Sequence, residues 1–142
     1  MKTVIDILRA KGDEVYTIAP QETVFDALKK MAEYDIGALV VVEAGRVVGI
    51  FTERDYARKM ILKERSSRDT PVRKVMTDHV ITVDPSTTID VCVDLMTYRH
   101  IRHLPVIENN QLIGVVSIGD ILKAVILAHV RLLEYKENRV FA

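Results

Sequence analysis

The sequence has one cysteine, Cys92, and no tryptophan. A single cysteine cannot form an intrachain disulfide, which excludes the small scaffolds that depend on such bridges and favours a reducing compartment, the cytoplasm. Cys92 lies in the apolar helical pattern DVCVDLM. We therefore interpret it as a small buried hydrophobic side chain, with a reactive thiol as the alternative.

Long apolar runs are missing too. Residues 1–15 lack the apolar stretch and the small-residue cleavage site of a secretory signal. The most apolar late stretch, ILKAVILAHVRLL, contains Lys123, His129 and Arg131 and is too short to cross a bilayer. We expect a soluble protein with no membrane partner.

Neither sign of charge is in excess, since Lys plus Arg and Asp plus Glu number 20 each among 142 residues. A nucleic-acid-binding protein usually has a basic surplus, because its affinity comes from neutralising phosphates. Basic residues gather between positions 54 and 74, but acidic residues interrupt them. Nucleic acid is therefore an alternative partner that the overall charge does not favour.

What the sequence does contain is an internal repeat. Residues 15–56 align with residues 80–121 without a gap, and many aligned pairs keep their apolar character. Identical pairs include Thr17/Thr82, Pro20/Pro85, Thr23/Thr88, Met31/Met96, Leu39/Leu104, Gly49/Gly114 and Asp55/Asp120. Chance does not produce such a match, so the chain contains one unit twice.

Each copy predicts the element order β-α-β-β-α, from a proline-ended extended segment, a helix with apolar residues at helical spacing, a hairpin and a second helix. About 60 residues bury too little surface to be stable alone. The copies are therefore predicted to pack about a pseudo-twofold axis in an α/β (α+β) fold. We expect an N-terminal helical segment at 1–10, repeat one at 11–62, a polar linker at 63–75, repeat two at 76–127 and a C-terminal helix extension at 128–142.

The strand-to-helix junctions read GIFTERD (49–55) and GVVSIGD (114–120). One interpretation is capping, in which Thr52 or Ser117 caps the following helix and the aspartate favours its positive end. A capping box normally uses Glu or Gln, so we expect the shorter Asp55 and Asp120 to project outward. The other interpretation is a nucleotide site, because a helix start binds phosphate, a carboxylate accepts hydrogen bonds from ribose, and the apolar residues offer a surface for a purine.

The repeat, with VVGIFTERD, RHLPVIENNQLIGVVSIGD and its hairpin order, resembles a tandem pair of CBS domains, the Bateman module. The resemblance implies adenosyl ligands (AMP, ADP, ATP, S-adenosylmethionine or NAD) between the repeats and often a disc-like dimer. It also implies that each cleft combines the junction of one repeat with the pre-strand segment of the other. The first candidate site is then Val115, Ser117 and Asp120 with Val15, Tyr16, Ile36, Gly37 and Ala38, and the possible second site is Ile50, Thr52, Arg54 and Asp55 with Val80 and Ile101.

The segment RHIRHLPVI (99–107) places cations before an apolar strand. Arg102 and His103 align with Gly37 and Ala38, so they crowd the second purine slot. We predict that they reach across the axis to the phosphate in the first site, as a planar fork and a titratable donor. A solvated cationic edge is the alternative. Chelation of a metal by His100 and His103 is not expected, since residues three apart in an extended strand point to opposite faces.

The sequence contains no phosphate-loop motif, zinc-ligand cluster or recognisable catalytic triad, and we predict neither catalytic residues nor a metal. We expect a regulatory module rather than an enzyme. It would sense AMP first, with ATP, NAD or S-adenosylmethionine as alternatives, and relay occupancy through repeat tilt or dimer contacts to an effector protein. The apolar last helix predicts a homodimer. A ligand-free dimerisation module is the competing hypothesis.

Overall fold

The computed structural model describes residues 2–12 and 14–141, with side chains up to residue 137. Within this range it has five α-helices, α1 (Val4–Lys11), α2 (Val24–Tyr34), α3 (Glu53–Lys59), α4 (Ile89–Arg99) and α5 (Ile118–Phe141). The same residues contribute five strands, β1 (Thr17–Ile18), β2 (Ala38–Glu43), β3 (Arg46–Thr52), β4 (His103–Glu108) and β5 (Gln111–Ser117), which form two small sheets. This mixed fold, with two matching halves, confirms the predicted class.

The first helices of the two repeats begin and end alike. Each starts after a threonine whose hydroxyl accepts a hydrogen bond from a first-turn amide, at 3.1 Å for Thr23 and 3.3 Å for Thr88. Each ends at a residue with left-handed backbone, Asp35 (φ 52°) or His100 (φ 54°). The extended backbone assumed between His100 and His103 is therefore wrong at His100, because α4 ends at Arg99 and His100 caps it.

The hairpins share one register, in which Ala38 pairs with Thr52 and His103 with Ser117. In repeat one, β1 extends the sheet as a parallel neighbour of β2. In repeat two, the matching strand is reduced to a single parallel bridge between residues 83 and 106. The amide of Val40 donates to the Tyr16 carbonyl at 3.4 Å, but its counterpart Pro105 has no N–H and cannot make this bond.

The segments that precede the two repeats cross over. Val4 and Leu8 of α1, which comes before repeat one, are buried in the core of repeat two. Val72 and Val75, which come before repeat two, are buried in the core of repeat one. Equivalent backbone hydrogen bonds hold both segments, from Val4 to Thr87 at 2.9 Å and from Val72 to Glu22 at 2.8 Å. Each repeat thus completes its core with chain from outside it, and the segment boundaries given above stay a prediction.

The repeated glycine of the junction motif makes room for this crossing. A Cβ atom at Gly49 would lie 2.5 Å from the Sδ of Met76 and 3.0 Å from the carbonyl oxygen of Thr77. A Cβ at Gly114 would lie 2.7 Å from a methyl carbon of Leu8. These distances are shorter than ordinary van der Waals contacts, so packing favours glycine at both positions, and more strongly at Gly49, where one of the atoms in contact is a backbone oxygen.

Cys92 is buried in the core of repeat two, and burial raises the pKa of its thiol. This confirms its interpretation as a buried hydrophobic side chain. Among the residues that the structure describes, no helix combines the length and apolar character needed to cross a membrane.

The two repeats differ in the outward surface of their helices. Ile121 of α5 is buried, but the helix exposes many other large apolar side chains, namely Ile118, Leu122, Val125, Ile126, Leu127, Val130, Leu132, Leu133 and Tyr135. On α4, Val91 and Tyr98 are exposed by 45% and 79%, at the positions that Asp26 and Glu33 hold on α2. At these two positions repeat two therefore exposes apolar side chains where repeat one exposes charged ones.

Candidate functional site

At both strand-to-helix junctions the hydroxyl residue and the aspartate bond to each other. The amide of Asp120 donates to the Oγ of Ser117 at 3.1 Å, and the amide of Ser117 donates to the Oδ2 of Asp120 at 2.9 Å. Thr52 and Asp55 repeat the pattern at 3.1 and 3.0 Å. The expectation that the aspartates project outward is wrong, because the amide of the cap residue lies close enough for a short side chain to reach it.

A cavity of about 330 Å³ lies in the seam between the repeats, beside the Ser117 junction. Its volume is within the range of small-molecule sites. Predicted first-site residues from both repeats line it, namely Val15, Tyr16, Ile36, Gly37, Ala38, His103, Val115 and Ser117, and the other lining residues are Lys11, Gly12, Glu14, Asp35 and Val40. The structure thus brings the repeat-two junction and the small residues of repeat one to one cavity.

Asp120, the carboxylate of the first predicted site, is not itself among the lining residues and is paired with a residue that sequence reasoning missed. The Nζ of Lys11 lies 2.7 Å from its Oδ2. The same ammonium donates to the carbonyl oxygen of Val115 at 2.8 Å. Lys11 is the last residue of α1, and only the crossing of α1 onto repeat two brings it here. No pattern in the sequence signals that crossing.

The groups around this ion pair have shifted pKa values. Burial opposes ionisation of Asp120, but the hydrogen bonds from Lys11 and the Ser117 amide outweigh it, so the pKa of this carboxyl lies below its ordinary value. Burial is also the main cause that lowers the pKa of His103, followed by the charge of Lys11. His103 is therefore neutral at pH 7 and can donate or accept a hydrogen bond in the cavity.

Tyr16 forms part of the cavity wall and is supported by a second aromatic ring. The ring of Tyr16 stacks on that of Tyr34, with centroids 4.1 Å apart and planes 20° from parallel. The Tyr16 hydroxyl donates to a carboxylate oxygen of Glu14 at 2.7 Å, and this bond raises the pKa of the tyrosine. A flat, rigid ring at the cavity wall suits contact with a planar base.

Arg102 does not belong to the cavity lining. Its side chain is exposed, and its carbonyl oxygen accepts a hydrogen bond from the amide of Ile118 at 2.9 Å. Of the two predicted phosphate ligands, the structure therefore places His103 in the cavity and Arg102 outside it. The role of Arg102 stays a prediction that would require its side chain to move.

The family model of the CBS domain matches the chain twice, at residues 3–62 and 72–127. The chain belongs to the CBS domain family. Each match contains one copy of the repeat together with the preceding segment that crosses onto the other copy, so the protein is a tandem CBS pair.

Known CBS proteins resemble this pair over most of its length. It is 43% identical over 136 residues to the mitochondrial CBS domain-containing protein CBSX3 of Arabidopsis thaliana, covering 89% of this chain and 66% of the relative. A CBS-domain structure from Burkholderia ambifaria MC40-6 is 50% identical, with a TM-score of 0.87 and coverage of 89% and 95%. The CBS pair of protein MJ0100, solved with 5′-methylthioadenosine and S-adenosyl-L-methionine, is 25% identical, with a TM-score of 0.79 and coverage of 88% and 96%.

The second junction of the CBS pair is closed around Asp55, which is 7% exposed. Its Oδ2 accepts from the amide of Thr52, and its Oδ1 accepts from the Thr77 hydroxyl at 3.1 Å and lies 3.0 Å from the Nζ of Lys59. These partners come from its own helix and from the crossing segment. Asp55 therefore has a structural role here that occupies both of its oxygens.

The other residues of the possible second site are not gathered around one pocket. Arg54 donates across the seam to the carbonyl oxygen of His100 at 3.0 Å. Ile50 pairs with Thr77, in the segment that crosses onto repeat one. Ile101 packs against the core of repeat two. A cavity of about 420 Å³ elsewhere in the seam includes Val80 but is otherwise lined by Arg46, Val47, Asp78, Thr82, Ile107 and Asn110. The second site stays a prediction without a matching cavity, and no group of metal-ligating side chains occurs among the described residues.

Proposed function

We propose that this CBS pair is a regulatory module that binds an adenosyl ligand in the seam cavity of about 330 Å³. One observation carries the proposal. Ser117, beside the carboxylate of Asp120, lines the same cavity as Gly37 and Ala38 of the other repeat. The carboxylate offers acceptors to ribose hydroxyls, and the small side chains of Gly37 and Ala38 leave room for a purine edge.

We take AMP as the first ligand to test, with ATP, NAD and S-adenosylmethionine as alternatives. Lys11, a cation, and His103, a neutral imidazole that becomes a charged donor when an anion binds beside it, favour a phosphorylated ligand. Glu14 and Asp35 also line the cavity. Their carboxylates favour a cationic ligand such as S-adenosylmethionine and make a direct comparison of the two ligand types necessary.

A ligand in this cavity would touch both repeats and the end of α1. Its binding free energy can therefore depend on the angle between the repeats, which is what a sensor requires, since a ligand shifts a conformational equilibrium only by its difference in affinity for the two states. The proposal assigns regulation, not catalysis, to the pair. The protein that responds to it is not specified by the cavity.

We extend the proposal to a homodimer formed through the helical surface of repeat two. The exposed apolar residues of α5 and α4 make a patch of a kind that soluble monomers rarely expose. On α2, Asp26 and Glu33 stand at the positions of Val91 and Tyr98, so the fold itself does not require apolar side chains at these positions. A second copy of this chain can cover the apolar patch without any other protein.

Thermal unfolding with AMP, ATP, NAD and S-adenosylmethionine tests the ligand proposal, together with mass spectrometry of small molecules released by denaturing the purified protein. A ligand at a hundredfold excess over its Kd should add about 2.7 kcal/mol to the free energy of unfolding. Stabilisation by at least one adenosyl compound supports the proposal if ribose 5-phosphate, a control that lacks the base, does not stabilise the protein. If none stabilises the protein and none co-purifies, the ligand-free dimerisation module replaces it.

A further inference from the structure

Lys11 makes both of its hydrogen bonds to groups that an adenosyl ligand would use. Its ammonium is 2.7 Å from the Oδ2 of Asp120 and 2.8 Å from the carbonyl oxygen of Val115. The carboxylate is the acceptor for ribose hydroxyls under the proposed function, and a carbonyl in the cavity wall is an acceptor for a base amino group. A single side chain thus holds two acceptors of the candidate site.

The carboxylate in the ion pair of Lys11 is more exposed than its counterpart in repeat one, whereas the two lysines are similarly exposed, at 36% for Lys11 and 41% for Lys59. Lys59 approaches Asp55 from the same helix, four residues away, and the carboxylate side chain is 9% exposed. Lys11 approaches Asp120 from a position 109 residues away in the sequence, and the two side chains are 36% and 16% exposed. Lys11 also lines the cavity, so it can leave Asp120 without opening a core.

We propose that Lys11 determines which class of adenosyl ligand binds, by competing with the nucleoside part and binding the phosphate part. This inference rests on the proposed function of the cavity. A ribose hydroxyl that donates to the Oδ2 of Asp120 takes the place of the ammonium there, and the displaced cation then needs another anion, because a partly desolvated unpaired charge is costly. The phosphate of AMP supplies that anion within the reach of a lysine side chain, and adenosine does not.

The other charged groups at the cavity set the size of this effect. His103 is held neutral by burial and by the charge of Lys11 itself, so it adds little attraction until a phosphate is present. Glu14 and Asp35 line the cavity and offer the released ammonium alternative partners. Glu14 already accepts the hydrogen bond of the Tyr16 hydroxyl. Arg102 lies outside the lining and does not compete for the same place.

Isothermal titration of AMP and adenosine into the wild-type protein and Lys11→Met tests the inference. Removing the ammonium frees Asp120 for ribose but deletes the phosphate partner. We therefore expect Lys11→Met to bind adenosine about threefold more tightly and AMP at least about tenfold more weakly. Arg9→Met, which removes one positive charge from the exposed side of the same helix turn, should change both affinities by less than about twofold. Lys11→Arg, which restores a cation, should recover most of the preference for AMP.

The two affinities distinguish failure of the inference from failure of the function. If the wild-type protein binds AMP and Lys11→Met changes both affinities equally or not at all, the role of Lys11 is overturned and the adenosyl site stands. If the wild-type protein binds neither compound nor any other adenosyl ligand, both proposals fall. Circular dichroism of each variant establishes that it is folded before it is titrated.

Discussion

Ser117 and Asp120 hold each other at the start of α5 through two reciprocal hydrogen bonds, of 3.1 and 2.9 Å. Capping therefore uses the same two side chains that the proposed nucleotide site needs. The two roles are compatible, since the cap occupies one carboxylate oxygen with a backbone amide and the cavity lies beside the junction. Separating the roles requires a change that spares the cap.

Asp120→Asn is such a change. Its side-chain oxygen can still accept the bond from the Ser117 amide, but the charge and one acceptor for ribose are lost. We expect AMP affinity to fall at least about tenfold, because hydrogen bonds to a charged group are worth about 1.5–3 kcal/mol. Isothermal titration measures the loss.

Asp55→Asn is the matched control for that variant. It changes the same motif in repeat one, where the carboxylate is buried against Thr77 and Lys59. It should lower the free energy of unfolding by about 1–3 kcal/mol and leave AMP affinity unchanged. Equal AMP affinity in Asp120→Asn and the wild-type protein would remove Asp120 from the site.

Protonation of His103 should make the ligand-free fold less stable in mild acid. The folded pKa is below the unfolded value of 6.5, so between the two values the unfolded chain binds more protons and the free energy of unfolding rises with pH. Stability is therefore lost as the pH falls below 6.5 and through the folded pKa. Lys11, Asp120 and Arg102 are the charges that act on this imidazole.

Urea unfolding at a series of pH values from 5 to 8 measures this dependence. His103→Gln, which keeps a hydrogen-bonding side chain but does not titrate, should flatten the curve between the folded pKa and 6.5. His79, whose side chain is fully exposed, provides the control, since His79→Gln is the same substitution outside the cavity. An identical slope in His103→Gln and the wild-type protein would contradict the buried neutral imidazole.

Replacement of the two repeated glycines should have unequal effects. In Gly49→Ala the new methyl meets Met76 and the backbone oxygen of Thr77 at 3.0 Å, which cannot move without shifting the crossing segment. We expect a loss of about 1–3 kcal/mol in the free energy of unfolding. In Gly114→Ala the methyl meets only the flexible end of Leu8, so the loss should be smaller. Urea unfolding of both variants checks the order, and the reverse order would be inconsistent with the crossing described here.

Self-association should depend on the apolar surface of α5. Ile126 and Leu122 are 58% and 55% exposed, so Leu122→Glu with Ile126→Glu should not disturb the core but should place charges in the proposed interface. Analytical ultracentrifugation should give a dimer for the wild-type protein and a monomer for this double variant. Asp26→Lys on the charged surface of α2 is the control and should remain dimeric. A monomeric wild-type protein would end the dimer proposal.

The duplicated sequence made most of the fold predictable, because helical spacing, paired prolines and hairpin turns agree in both copies. Three features of the fold could not be predicted from the sequence, for physical reasons. The packing of α1 onto repeat two depends on long-range tertiary contacts, and no local sequence pattern signals it. The first strand pairing of repeat two is shorter because Pro105 lacks the N–H that Val40 donates at the matching position of repeat one. Only a comparison of the two copies shows this effect. His100 looked like part of a strand, although the match with Asp35 places it at a helix end.

The candidate site was predictable where it depends on symmetry and was missed where it depends on the crossing. The pseudo-twofold relation places the Ser117 junction opposite Gly37 and Ala38, and all three line the cavity. Lys11 could not be found, since only the crossing of α1 pairs it with Asp120. The junction motif also did not distinguish Asp120 from the more buried Asp55. Lys59 and Thr77, which bind the Asp55 carboxylate, lie outside the motif.

A crystal structure of the protein grown with saturating AMP tests the central claim most directly. The account predicts AMP in the seam cavity, with its ribose hydroxyls on Asp120 and its purine edge against Gly37 and Ala38. AMP bound only elsewhere, for example in the cavity beside Arg46 and Asn110, or turned so that Asp120 keeps Lys11 and contacts no ribose, would contradict it.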